Sequence, residues 1–275
     1  MVEMVIPMED LDDPMPIRFT FKVTNIDDIT IYVKSEITGA PANWNIGADE
    51  QHGALGVGVD NYFLNDNNTR DKPADGASDT INLRITYYSD AGYTVPLTFE
   101  DITYDITYVD FTDVRYAVVD DDTFEVGVEG WAWTDEVDLG SATRSTVQSR
   151  TGVASLLLKT NPSGVGYAAK DFTISGGGVA EAYIRIWLWI NVVTEQELII
   201  EIITDSGDVS NIRTLPIAMD SAPQGGAEMF QQWIVIGAEL PVNAVYTVKV
   251  RLRGELGAGI VDQYVYLDDI RVVEV

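Results

Sequence analysis

The sequence predicts an all-β protein: an N-terminal β-sandwich-like domain over residues 1–119, followed by a β-jelly roll over 120–275. Three observations carry this. Apolar and polar residues alternate strictly in several segments, as in Ile17, Phe19, Phe21 and Val23, the period of a half-buried strand. No helical period of ten or more residues occurs. Clusters of Gly, Asn, Asp, Ser and Pro separate many short apolar segments, the spacing of a sandwich or jelly roll.

Taken in order, 17–24 reads as a strand, Asn25-Ile-Asp-Asp28 as turn chemistry, and 29–34 as the returning strand of a hairpin. Residues 36–79 are looser and rich in Gly, Asn and Asp, with a turn or loop over 71–79. Strand character resumes at 80–88, 101–109 and 114–119. The acidic cluster Asp120, Asp121 and Asp122 then marks the divide between domains. Beyond it, strands are expected around 123–129, 153–159, 167–174, 179–192, 196–204, 211–219, 230–238, 245–253 and 262–274. Turn-formers such as Ser175-Gly-Gly-Gly178 and Asp205-Ser-Gly-Asp208 separate them.

Composition limits the function classes. The 44 acids and 17 bases give a formal net charge of −27, which makes nucleic-acid phosphate an unfavourable partner. The excess is spread along the chain rather than held in a tail: 21 acids face 7 bases in residues 1–118, and 23 face 10 in the rest. Such a surface suits high salt, where a Debye length of about 3 Å at 1 M screens self-repulsion. No apolar run approaches the roughly 18 residues of a membrane-spanning helix, and the N-terminal residues carry acids where a signal peptide carries bases. The chain has no cysteine.

The closing segment Tyr264-Val-Tyr-Leu-Asp-Asp-Ile-Arg-Val-Val-Glu-Val275 places two adjacent acids inside a strand. Carboxylates are disfavoured there unless compensated. Uninterrupted alternation puts Asp268 in line with Ile270 and Val272, toward the core, and Asp269 with Leu267 and Arg271.

Strand 183–192 carries the candidate binding surface. Ile184, Ile186, Leu188, Ile190 and Val192 form an aliphatic face for the core. Tyr183, Arg185, Trp187, Trp189 and Asn191 form the other. Flat aromatic rings interleaved with hydrogen-bonding groups suit either sugars or a protein interface. Strand 246–253 repeats the pattern, with Lys249, Arg251 and Arg253 on its polar side. If the strands are neighbours, these residues join one surface. Trp131, Trp133 and Trp233 read as packing residues and Trp44 as a loop anchor. The only histidine, His52, reads as a lone exposed side chain. No nucleophile turn, phosphate loop, dinucleotide fingerprint or zinc-protease helix is present, so no enzyme is expected.

Residues 123–275 resemble the jelly-roll carbohydrate-binding modules and related galactose-binding-like domains. The resemblance rests on Phe124-Glu125 before Gly130-Trp131, Gly152-Val-Ala-Ser-Leu-Leu-Leu158, Tyr183-Ile-Arg-Ile-Trp-Leu-Trp189, Trp233 before Leu240-Pro241, and the closing Tyr266-Leu-Asp-Asp-Ile-Arg-Val272. It implies a structural calcium between Glu125 and Asp268 or Asp269 and no organic cofactor. The segment around 17–23, 29–33, 73–76 and 81–85 faintly resembles the attachment domain of phage tail fibres. Together these features imply a non-enzymatic structural virion protein, a capsid decoration, turret or tail-fibre component, of a virus with a halophilic host. Its partners would be other virion proteins, further copies of itself in a homotrimer or homopentamer, and host cell-surface glycans, with no nucleic acid and no membrane insertion. The alternative is a carbohydrate-binding module of an extracellular polysaccharide-degrading system.

Overall fold

The computed structural model describes residues 2–8, 14–137, 140–161, 164–174, 179, 181–191, 198–204, 212–213, 233–240, 242, 245–253 and 263–275. Every regular element among them is a strand. The described residues up to Asp110 form one compact unit and those from Phe111 onward a second. Asp120, Asp121 and Asp122 belong to the second unit, within a strand.

In the first unit, one sheet runs in the order β1 (Val2–Pro7), β8 (Pro96–Val109), β7 (Ser78–Tyr88), β3 (Ile31–Gly39), β5 (Glu50–Leu55). The other runs β2 (Met15–Thr24), β6 (Asp60–Arg70), β4 (Trp44–Asn45). Strand β1 is parallel to β8, and the remaining pairs are antiparallel. Their apolar sides share one cluster that includes Phe19, Phe21, Val33, Phe63, Leu83 and Tyr108.

The expected hairpin between 17–24 and 29–34 does not form. Strand β2 pairs with β6, and β3 pairs with β5 and β7. Ile17, Phe19, Phe21 and Val23 are buried together with Ile31 and Val33 in one core cluster, so the two segments contribute to different sheets instead of lying edge to edge. Asn25 makes the corner: it is buried, and its Nδ2 donates to the carbonyls of Ile29 (2.9 Å), Leu55 (2.9 Å) and Gly56 (3.0 Å).

Residues 36–79, expected to be loose, contain the long strand β6. Its inward side chains are Phe63, Asn65, Asn68 and Arg70, the phase changing at an irregularity opposite Ile17 and Phe19. Asn65, Asn68 and Arg70 each find partners. Asn68 Nδ2 donates to Asn65 Oδ1 (2.6 Å), Asn65 Nδ2 to Ser35 Oγ (2.9 Å), and Ser35 Oγ meets His52 Nε2 (2.7 Å). His52 is therefore not a lone exposed residue. It lies in β5, half-buried, with its ring against Phe21 and Phe63 at 5.5 and 5.0 Å. Arg70 Nε donates to Asp79 Oδ2 (2.7 Å), which also accepts Trp44 Nε1 and Tyr108 OH at 2.9 Å each. Trp44, expected as a loop anchor, stands in the short strand β4 and is held by this bond.

The second unit is a jelly-roll-like β-sandwich. One sheet runs β11 (Gly140–Ser145), β12 (Ser155–Thr160), β19 (Gln263–Glu274), β14 (Ala182–Asn191), β17 (Trp233–Leu240). Strand β9 (Ala117–Asp122) pairs with the C-terminal half of β19, along the edge that β12 occupies further back. The other sheet runs β10 (Ala132–Val137), β13 (Val165–Thr173), β18 (Val245–Arg253), β15 (Leu198–Thr204), β16 (Ile212–Arg213). The core draws Leu156, Leu158, Ile184, Leu188, Leu267 and Val272 from the first sheet and Ala168, Phe172, Val248 and Val250 from the second, all buried. The opening strand is β9, not 123–129. Phe124 instead turns into the core with φ +58°, and the Arg144 guanidinium bonds its carbonyl (2.8 Å).

Candidate functional site

The decisive local feature is a bulge in β19. Arg185 pairs with Arg271 and Trp187 with Asp268, so β19 spends one residue more than β14 between these pairs. Asp269 adopts φ +44°, the left-handed region that Asp tolerates better than most residues. The extra residue inverts the alternation. Val265, Leu267, Ile270 and Val272 now share the core side, while Tyr264, Tyr266 and Asp268 stand beside Asn191, Trp189 and Trp187. Uninterrupted parity therefore misplaces Asp268. It is fully buried, but on the side of Trp187 rather than in the aliphatic core.

What buries Asp268 is the loop before β12. Asp268 Oδ2 accepts the backbone N–H groups of Arg150 (2.7 Å) and Thr151 (3.3 Å), and Oδ1 accepts that of Asp269 (2.9 Å). Thr151 Oγ1 donates to Asp269 Oδ1 (2.8 Å). Glu125 Oε1 accepts the N–H groups of Val153 (2.8 Å) and Ala154 (3.1 Å). Gly152, between these contacts, has φ +59°, and a Cβ there would collide with Glu125 Oε1. Three carboxylates thus clamp one short loop. Burial pushes the Asp268 carboxyl up to about 6 and the adjacent Asp269 adds to the rise, opposed by the Arg150, Asp269 and Thr151 amides.

The calcium implied by the resemblance does not fit these residues. Both Asp268 oxygens and Glu125 Oε1 are aimed at N–H donors, whose positive ends would confront a cation there. No group of three or more acidic or histidine side chains suited to a metal gathers among the described residues.

The polar face of β14 divides into three zones. At one end, Phe111 and Tyr116 pack over Arg185 and Tyr183: the Arg185 guanidinium lies 5.8 Å from the Phe111 ring centre, and Tyr116 meets Tyr183 edge-on at 6.2 Å. Arg185 also donates to the Asp269 carbonyl (3.3 Å). In the middle, Trp187 is only 5% exposed, with the Arg150 guanidinium 4.4 Å from its ring centre. At the far end, Trp189, Trp233 and Tyr264 are half-buried. Trp189 and Trp233 are cross-strand partners whose rings meet at 5.9 Å with a 61° interplanar angle. Lys159 on β12 is the cross-strand partner of Tyr264, its Nζ 5.4 Å from that ring.

Of the expected surface residues, Tyr183 and Arg185 are therefore covered, Trp187 is capped, and Trp189 is presented. Lys249 does not join them. It lies on β18 in the opposite sheet, flanked by buried Val248 and Val250, and points outward with its Nζ 4.5 Å from the Tyr167 ring centre. The side chains of Asn191, Arg251 and Arg253 lie outside the described residues. Strands β14 and β18 are not neighbours, so the two polar faces do not merge.

Sequence reasoning missed Trp233, Tyr264, Lys159 and Arg150. Trp233 and Tyr264 alternate visibly within their own strands, but only the β17–β14–β19–β12 order sets them beside Trp189. Arg150 lies in a loop and carries no local signal. Trp131, by contrast, is a packing residue as expected: it is buried, and its Nε1 donates to Asp122 Oδ2 (2.8 Å).

No protein-family model matches the chain, and no curated protein matches it. Solved structures similar to it include carbohydrate-binding modules. The CBM22-1 xylan-binding domain of Paenibacillus barcinonensis Xyn10C aligns at 14% identity and TM-score 0.38, over 58% of this chain and 96% of that one. TmCBM61, solved in complex with β-1,4-galactotriose, aligns at 12% identity and TM-score 0.38, over 56% and 95%. A member of the β-sandwich superfamily of carbohydrate-binding modules, described for promiscuous specificity, aligns at 12% identity and TM-score 0.40, over 94% and 98%. At these scores the likeness carries no argument about ligands, and the functional reading rests on the aromatic end of the β14 face.

Proposed function

We propose that the protein binds carbohydrate without turning it over, through the face formed by Trp189, Trp233, Tyr264 and Lys159. The observation that carries this reading is the set of three half-buried aromatic side chains on adjacent strands of one sheet, beside an amine donor. Aromatic faces stack against the C–H surface of a sugar ring while a nearby donor reads its hydroxyls. Binding rather than catalysis is favoured by the use of the neighbouring carboxylates: Asp268 and Asp269 hold the loop over Trp187. The test is affinity electrophoresis of the whole chain against soluble neutral and acidic polysaccharides at high salt. Trp189→Ala and Trp233→Ala are each expected to reduce retardation at least tenfold. No retardation by any polysaccharide would sink the reading.

Within it, we place the protein on the surface of a virion from a halophilic host, as a projecting structural component. The net charge of −27 over an all-β chain supports this context. A module of a polysaccharide-degrading system is the alternative. Mass spectrometry of purified virions from halophilic hosts separates the two, since only the first requires the chain in the particle.

A further inference from the structure

We propose that Arg150 sets the length of the glycan that the aromatic face accepts, by occupying the ring surface of Trp187 and closing the strip at that point. The inference rests on the carbohydrate reading above and adds a length-determining residue to it.

Trp187 and Trp189 lie two residues apart on β14 and face the same side. Same-side neighbours on a strand are about 6.8 Å apart, a step comparable to the width of a pyranose ring. Geometry alone would make Trp187 the next stacking platform after Trp189. The two rings nevertheless differ in access: Trp189 is half-buried and Trp187 is 5% exposed. The difference coincides with the Arg150 guanidinium, 4.4 Å from the Trp187 ring centre, in the position a sugar face would take.

The placement of Arg150 is built rather than incidental. Its own N–H is held by Asp268 Oδ2 at 2.7 Å, and Asp268 is the cross-strand partner of Trp187. The strand bulge that turns Asp268 to this side therefore also fixes the loop that covers Trp187. Glu125 and Asp269 hold the same loop at Val153, Ala154 and Thr151. A loop held at five of its groups does not swing aside readily, so the cover acts as an end wall.

The test uses the full chain with Arg150→Ala and, as a second truncation that keeps a polar head, Arg150→Gln. Hydroxyl-radical oxidation read by peptide mass spectrometry should rise at least threefold at Trp187 in both variants. Trp131, buried against Phe172, should stay protected and so report an intact fold. The best-retarding polysaccharide is then cut to oligosaccharides of two to eight sugars. Wild type should reach its limiting affinity at a shorter oligosaccharide than Arg150→Ala. The double variant Arg150→Ala with Trp187→Ala should return to the wild-type length dependence. Binding with the same length dependence in wild type and Arg150→Ala overturns this proposal alone. Unchanged oxidation at Trp187 does the same. Failure of every polysaccharide to bind overturns it together with the carbohydrate reading.

Discussion

Two buried aspartates, one in each unit, meet opposite fates. Asp79 of the first unit faces a cation and two neutral donors: Arg70 Nε, Trp44 Nε1 and Tyr108 OH all bond its Oδ2. Burial raises its pKa, but the Arg70, Trp44 and Tyr108 hydrogen bonds outweigh this and hold the carboxyl below its ordinary range. Asp268 of the second unit faces only backbone N–H groups and lies beside another acid, and its carboxyl is pushed up to about 6. The difference teaches that donors and charge are weighed against depth of burial. Asp79 keeps slight exposure and has a guanidinium and two further donors on one oxygen, whereas Asp268 is buried completely among amides. A full charge alone does not decide the outcome: Asp122, almost as deeply buried, is pushed up to about 6 with the Lys170 ammonium against it. The first arrangement locks a core. The second holds a loop over a candidate binding face.

The largest effect expected is in the first unit. Asp79→Ala leaves a buried guanidinium without its carboxylate and should cost about 3–5 kcal/mol, read as a lowered denaturation midpoint. A loss under about 1 kcal/mol would mean that Arg70 finds another acceptor and that the contrast with Asp268 is overstated.

The second prediction concerns pH. The Asp268 pKa is raised on folding, so the folded state binds the proton more tightly than the unfolded one. This group's contribution to stability is fully present below the unfolded value of about 4 and is lost as pH rises through about 6. A shift of about two units corresponds to about 2–3 kcal/mol. Comparison of wild type with Asp268→Asn across pH 4–7 should show a stability difference that changes by this order. Asp79 has the opposite sign: its contribution is present above the ordinary carboxylate value and disappears as pH falls. A flat difference curve for Asp268→Asn would show that the amides fully offset the desolvation, and a curve of opposite slope that they compensate it as Arg70 compensates Asp79.

Gly152→Ala comes next. The substitution places a Cβ at φ +59° and against Glu125 Oε1, and it should cost about 1–3 kcal/mol. It should also raise oxidation at Trp187 by loosening the loop. The smallest effect is expected from chelation. Glu125 and Asp268 are satisfied by N–H donors, so EDTA at matched ionic strength should leave Tm unchanged. A fall in Tm would restore calcium to the junction of β19 with the loop and revise the contrast from the Asp268 side.

The all-β class and most strands of the second unit are legible in the sequence because period-2 alternation survives wherever one side of a strand is apolar. Strand β14 is the clearest instance, with Ile184, Ile186 and Leu188 inward and Trp187 and Trp189 outward. Strand β6 is not legible, because Asn65, Asn68 and Arg70 point inward and are compensated by partners nine or more residues away or by each other. The acids at 268 and 269 are conspicuous in the sequence, but the bulge between Asp268 and Arg271 has no one-dimensional signature, and an extra residue reverses the side on which everything beyond it points.

By itself the sequence determined the secondary-structure class, the acidic surface, the core side of β14 and the importance of the closing strand, because these depend on residue type and local period. Tertiary structure decided which strands are neighbours, and with that the site. It joined Trp233, Tyr264 and Lys159 to Trp189, sent Lys249 to the opposite sheet, and laid Arg150 over Trp187. The physical reason is that strand pairing is a contact between segments remote in the chain, set by the summed burial of whole faces, and no short stretch of residues encodes its partner.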